Sequence, residues 1–188
     1  MSVETVSGPA AIADGQGGFF IDEVAVKPPE PGEVRVKLAA AGICHTDHAS
    51  LNWPGPLVMG HEGAGYVDAV GEGVTGLRAG QPVLLNWAIP CRACPQCERG
   101  AEAICDRTLE TDRDRFGTSR AHSGATICRG APIERSFHLR TLSSYTVVRA
   151  EAVVPLPRAL SPEQACILGC AVMTGIGSAI NVAEVREG

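Results

Sequence analysis

Cys91, Cys94, Cys97 and Cys105 follow the spacing C-x2-C-x2-C-x7-C. Four thiolates so close in the chain can surround one Zn²⁺ tetrahedrally at about 2.3 Å each, leaving no open position, which is the chemistry of a structural site. The excess negative charge of such a site has Arg92, Arg99 and Arg107 nearby in sequence to offset it. The bland alternative is four reduced, unligated thiols. The sharper rival is a nucleic-acid-binding zinc ribbon, which wants paired C-x2-C knuckles and a basic face. A net charge of −5 argues against it.

A second set of metal-binding residue types is dispersed. Cys44-His45-Thr46-Asp47 follows a predicted strand, Gly60-His61-Glu62 follows a Pro/Gly loop, and Cys170 stands in Leu168-Gly169-Cys170. Two thiolates and one imidazole on Zn²⁺ make a neutral site with one position free, the composition of a catalytic zinc. Nothing in the spacing shows that Cys44, His61 and Cys170 converge. Taken singly, each is as well explained by packing.

These residues need a scaffold. The chain of 188 residues is long enough for one ordinary domain. Hydrophobic residues make up 45% and charged residues 20%, so a packed core is expected rather than disorder. With 22 Gly, 13 Pro and only 4% aromatic residues, turns should be many and the body β-rich. Short runs at Glu33–Leu38, Tyr66–Val70, Pro82–Trp87, Ser144–Val148 and Ala152–Leu156 predict strands of a small, partly open β-barrel. Residues 1–20 read as an irregular lead-in. Residues 111–141 read as a long solvated loop, with six Arg against three acids from Asp112 to Arg140. Ser161-Pro162-Glu163 is a helix start, and a second helix is predicted over about 174–185.

Composition also excludes classes. The negative charge offers no field for nucleic acid or anionic lipid. No apolar run is expected to reach bilayer-spanning length, and no signal-peptide order precedes the domain. A cytoplasmic protein without nucleic-acid or membrane partners is therefore expected. Eight cysteines with half of them in one short stretch favour metal over disulfides.

Gly60-His61-Glu62-x2-Gly65-x5-Gly71-x2-Val74 resembles the signature of zinc-dependent alcohol dehydrogenases in the medium-chain dehydrogenase/reductase superfamily. The four-Cys loop, Cys44-His45-Thr46-Asp47 and Leu168-Gly169-Cys170 follow in that family's order. So do Gly117-Thr118-Ser119-Arg120, Cys128-Arg129-Gly130 and Tyr145-Thr146-Val147-Val148. The resemblance implies a mainly β fold with α elements: a GroES-like, partly open barrel with a structural-zinc loop over residues 21–160, then C-terminal helices over 161–188 leading to a dinucleotide-binding Rossmann domain that the chain lacks. It implies two zinc ions, the second held by Cys44, His61 and Cys170. Asp47 would orient His61 through its other ring nitrogen, and Glu62 would lie behind the metal. Thr46 would hydrogen-bond an alcohol hydroxyl, and Trp87 would wall the substrate pocket. His45 and Thr174 would meet an NAD(P) cofactor. The implied partner is a small-molecule alcohol or aldehyde, and the resemblance leaves homo-oligomerisation of a full-length form open.

The departures from the family pattern carry information too. Gly71-Glu72-Gly73-Val74-Thr75-Gly76 is a literal G-x-G-x-x-G, but it runs into Leu77-Arg78-Ala79-Gly80 rather than a helix and fails as a nucleotide fingerprint. Many relatives place a proton-relay histidine where Ala49 stands here; His48 is one residue off and is the candidate substitute. The loop between Asp47 and Gly60 is short and lacks the acidic residue of the glutathione-adduct-using branch, while Trp53 and Trp87 suggest an apolar, aromatic-tolerant pocket. Cys128 and Cys166 are expected as buried free thiols. Two readings follow: the catalytic-domain portion of a zinc- and NAD(P)-dependent alcohol dehydrogenase, inactive alone, or a non-catalytic zinc-binding remnant or subunit that needs a partner chain.

Overall fold

In a computed structural model, residues 3–106 and 125–188 are described. The Gly117–Arg120 motif and Arg107 lie outside them. The chain folds into two sheets that wrap into a nearly closed barrel. One has six strands in the order β8-β7-β2-β1-β4-β9 and the other five in the order β10-β3-β5-β6-β11. The strands are β1 (Val6–Ala13), β2 (Phe19–Val26), β3 (Glu33–Gly42), β4 (Leu57–Val58), β5 (Glu62–Val70), β6 (Pro82–Leu85), β7 (Thr126–Cys128), β8 (Ala131–Pro132), β9 (Glu134–Arg135), β10 (Tyr145–Arg149) and β11 (Val153–Pro155). Among the described residues only β4 and β9 pair in parallel, and no βαβ unit occurs.

Alternation places the core. Val34 and Val36 from β3, Val67 from β5, Val83 and Leu85 from β6, and Val148 from β10 fill one buried cluster. Ala10 and Ile12 from β1, with Val24 and Val26 from β2, fill a second with Val58 and Val147. Residues 142–144 stitch the two sheets: Ala11 N donates to Leu142 O at 2.8 Å, and Leu38 N to Ser144 O at 2.9 Å.

Three expectations need correction. Residues 1–20 are not an irregular lead-in, because Val6–Ala13 pairs antiparallel with Phe19–Val26 along its whole length. Its Gly8-Pro9-Ala10-Ala11 stretch has little strand propensity, and tertiary pairing supplies what propensity does not. Within the expected loop, residues 125–141 instead form β7–β9 and a tight turn, and Arg140 is fully buried.

The third correction concerns the C-terminal helices. They are one helical run, α3 (Pro162–Val182), so Cys170 lies inside a helix rather than between two. This helix is long and apolar enough, by length and composition alone, to cross a membrane, which the sequence reading did not foresee. Its first turns are buried against the barrel at Pro162, Ala165 and Cys166, whereas Met173, Ile176, Ile180 and Val182 are exposed. A capping box starts it: Gln164 N donates to Ser161 Oγ at 3.4 Å, and Ser161 N to Gln164 Oε1 at 3.2 Å.

Candidate metal centres

The Cys91–Cys105 excursion leaves the barrel after β6 and is built on α2 (Pro95–Glu98), whose N-cap is Cys94. The Sγ atoms of Cys94 and Cys97 stand 3.5 Å apart, those of Cys94 and Cys105 3.9 Å, and those of Cys91 and Cys97 4.0 Å. Four sulfurs at about 2.3 Å from one zinc would be spaced about 3.8 Å apart, so the cluster fits the ion. Backbone donors aim at it: Cys91 N reaches Cys105 Sγ at 3.3 Å and Ala93 N reaches Cys91 Sγ at 3.4 Å. The Cys97 amide lowers the Cys94 thiol pKa. Burial, aided by Cys94, pushes that of Cys97 up to about 12. Arg92 and Arg99 are exposed at the rim.

The second centre is assembled from three elements. Cys44 is the N-cap of α1 (His45–Ser50), directly after β3. His61 and Glu62 stand where the chain enters β5, and Cys170 comes from a wide π turn of α3 at Leu168–Val172. One ligand atom from each of Cys44, His61, Glu62 and Cys170 lies within 4.8 Å of all the others. Two close approaches of backbone permit this. At Gly42 a Cβ would collide with the Glu62 carboxylate, and at Gly169 it would lie 2.8 Å from Leu85 O, so α3 can press against the end of β6.

Asp47, fully buried, braces the cluster. Its Oδ1 lies 3.2 Å from His61 Nδ1, and its Oδ2 accepts from Cys44 N at 2.8 Å. Burial draws the His61 pKa down, but the Asp47 hydrogen bond and charge outweigh it and leave the imidazole above its ordinary value. The Thr46 amide lowers the Cys44 thiol; burial, with Cys44 and Glu62 nearby, pushes Cys170 up to about 12. Glu62 Oε1 is buried and has no hydrogen-bond partner, an arrangement that calls for a cation. Two thiols, an imidazole and a bare carboxylate oxygen are the donor set of a zinc site.

The remaining sequence candidates divide. Thr46 lies at the cluster, its Oγ1 3.7 Å from Cys44 Sγ. Glu62 stands among the ligands rather than only behind them. His45 and His48 are exposed and stack on each other at 5.8 Å, one turn of α1 away from the ligands. Thr174 is exposed on α3, one turn beyond Cys170. Trp87 is brought to the site through Phe137, whose ring stands 5.2 Å from Trp87 and 4.8 Å from His61. Phe137 was missed in the sequence, since it sits in an arginine-rich stretch with no apolar pattern. Cys166 is buried and Cys128 half-buried, and all eight cysteines are free of disulfides.

The profile of the alcohol dehydrogenase GroES-like domain matches residues 30–158. The chain belongs to this zinc-type alcohol dehydrogenase family, as its catalytic domain. An S-(hydroxymethyl)glutathione dehydrogenase of Photobacterium damsela subsp. piscicida is 38% identical over 185 residues, covering 95% of this chain and 50% of that protein. Among solved structures, an alcohol dehydrogenase zinc-binding domain protein from Burkholderia ambifaria superposes with a TM-score of 0.84 at 33% identity, over 98% of this chain and 51% of that one. Benzyl alcohol dehydrogenase from Acinetobacter calcoaceticus follows with a TM-score of 0.80 at 29% identity, over 96% and 49%. The chain thus spans about half the length of these alcohol dehydrogenase relatives.

Proposed function

We propose that this domain supplies the chemical half of a zinc- and NAD(P)-dependent alcohol dehydrogenase, interconverting alcohols with aldehydes or ketones. The observation that carries the reading is the convergence of Cys44, His61 and Cys170, from three separate elements, around the unpartnered carboxylate of Glu62. When bound there, zinc lowers the pKa of a hydroxyl toward neutrality and polarises a carbonyl. Asp47 holds His61 in one tautomer, so that the ring's other nitrogen is presented to the metal position. Thr46, beside Cys44, offers a hydroxyl that accepts the alcohol proton and passes it toward solvent. His45 and His48, exposed on α1, lie on the solvent side of that route, with His48 the nearer substitute for the absent relay at Ala49.

Hydride transfer needs a nicotinamide held alongside. Among the described residues the one G-x-G-x-x-G is the turn between β5 and β6, not a strand-to-helix turn. The 188-residue chain alone therefore binds zinc but turns over alcohol negligibly. That observation also favours a second reading, a zinc-binding subunit that acquires its nucleotide site from another polypeptide.

Elemental mass spectrometry on the purified native chain tests the site. Two zinc ions per chain are expected, and Cys44→Ser should leave one. One zinc in the unaltered chain would mean that Cys44, His61 and Cys170 do not act together. Saturable NADH binding to the chain alone, read by nucleotide fluorescence, would overturn its dependence on a further nucleotide-binding unit.

A further inference from the structure

The segment from Ser136 to Thr141 adopts a costly backbone. Phe137, His138 and Arg140 have φ of 47°, 61° and 48°, a left-handed conformation that residues with side chains adopt rarely. Such strain persists only where the surroundings over-determine it. Here they do. Leu139 N and Arg140 N both donate to Ser136 O, at 3.0 and 3.2 Å. The buried Arg140 donates through Nε to Thr146 Oγ1 at 3.2 Å, and Thr146 Oγ1 donates to Leu139 O at 2.6 Å. Thr141 N donates to Gly60 O at 3.0 Å, tying the end of the segment to the residue before His61.

Core packing accounts for Leu139, which is fully buried, but not for Phe137, which is half-buried and belongs to no core cluster. What the strained turn does is present the Phe137 ring over His61, at 4.8 Å between centroids. Trp53 and Trp87 flank it at 5.5 and 5.2 Å. Neither tryptophan lies parallel to it: the planes meet at 57° and 62°. The three rings are therefore walls rather than a stack. All three are half-buried, so each keeps surface for another molecule, and none carries a charge. Tilted rings beside open space suit a fourth flat ring, since aromatic pairs favour edge-to-face and offset contacts at 4.5–7 Å.

We propose that Phe137 is a specificity-determining residue which, with Trp53 and Trp87, selects alcohols and aldehydes carrying a flat aromatic ring. This rests on the alcohol dehydrogenase reading above and names the substrate class for the same site. Phe137 holds the ring of the substrate beside the face of His61, so that its hydroxyl-bearing carbon is directed to the cluster of Cys44, His61 and Cys170. A saturated ring of equal size lacks the aromatic edges and faces, and a short alkanol does not reach the walls.

The chain contains two tryptophans, and both are walls of this site, so its intrinsic fluorescence reports on the site directly. The zinc-loaded chain would be titrated with benzyl alcohol, cyclohexylmethanol, 1-butanol and S-(hydroxymethyl)glutathione, with zinc counted in each preparation. Benzyl alcohol should give a saturable change at roughly two- to tenfold lower concentration than cyclohexylmethanol. Phe137→Ala should bring that ratio to about one, and Phe137→Tyr should restore it. Phe137→Leu keeps bulk without aromaticity and serves if the alanine variant does not fold; its ratio should also fall.

With two zinc ions bound, three results would overturn the aromatic selection alone: equal affinities for the two six-membered rings, no response to any alcohol, or tighter binding of S-(hydroxymethyl)glutathione than of benzyl alcohol. A preparation that binds one zinc and is insensitive to Cys44→Ser would instead remove the dehydrogenase reading, and the selection with it.

Discussion

Asp47 and His61 form a buried pair, Oδ1 to Nδ1 at 3.2 Å, in which the same carboxylate also accepts from the Cys44 amide through Oδ2 at 2.8 Å. One side chain thus sets the ring orientation of one metal ligand and the position of another. Neither Asp47 nor His61 is more than 2% exposed, so water cannot replace what Asp47 provides. Asp47→Asn keeps the size and loses the charge, and an amide can present its nitrogen to the imidazole. Zinc affinity at this centre should fall about 10- to 100-fold, as is usual when a ligand's hydrogen-bond partner is lost. Competition with a chromogenic chelator would show one of the two zinc ions weakened and the other unchanged. Equal weakening of both would contradict a local role for Asp47.

How much of this was legible in the sequence depended on distance along the chain. The four-Cys loop was readable because its ligands are neighbours and their spacing alone nearly encloses an ion. Cys44, His61 and Cys170 converge only through pairing of β3 with β5 and docking of α3, so their spacing had no local meaning without a family resemblance. Strand β1 was missed because Gly8, Pro9 and Ala10 have no intrinsic strand preference. Helix α3 was read as two helices because Gly169, Gly175 and Gly177 weaken helical propensity, although the run continues through all three. Phe137 left no trace, since its position follows from a left-handed turn held by the buried Arg140, in a stretch whose arginines suggested solvent.

Gly169 gives the second prediction. A methyl group there would lie 2.8 Å from Leu85 O, a backbone atom that cannot rotate away. Gly169→Ala must therefore lift α3 from the end of β6 and carry the adjacent Cys170 with it. Overpacking of this kind costs about 1–3 kcal/mol. Urea unfolding should show that loss, and elemental analysis should show one zinc per chain in place of two. A variant with full stability and two zinc ions would mean that Cys170 reaches the site by another backbone path.

The four-Cys excursion has a different dependence on its metal. Between Cys91 and Cys105 the buried side chains are Cys94 and Cys97 themselves, so apolar packing does little to hold the segment. Its order must come from ligation. Cys97→Ser, which removes the most buried tether of α2 together with Cys94, should drop local opening of this segment toward about 0 kcal/mol while the barrel strands stay protected. Hydrogen exchange would resolve the two regions, and limited trypsin digestion should cut first at the exposed Arg92 and Arg99. Loss of protection across β3 and β5 as well would show that the excursion supports the whole domain.

Zinc uptake should also depend steeply on pH, and the sign follows from the thiols. Burial holds both Cys97 and Cys170 up to about 12 in the metal-free protein, so each carries its proton near neutrality. Zinc binds thiolates, and binding must therefore expel those protons. At the second centre Asp47 keeps His61 above its ordinary pKa, which adds a proton to be lost as the solution turns acid. Raising pH lowers the work of expulsion, so affinity should climb about tenfold per pH unit for every proton released. Because the raised thiols lie far above neutrality, the rise should not level off between about pH 6 and 8. Calorimetric titration of zinc into the metal-free chain, repeated in buffers of different ionisation enthalpy, measures the released protons directly. Heats that do not change with the buffer would mean that the thiols are already ionised before the metal arrives.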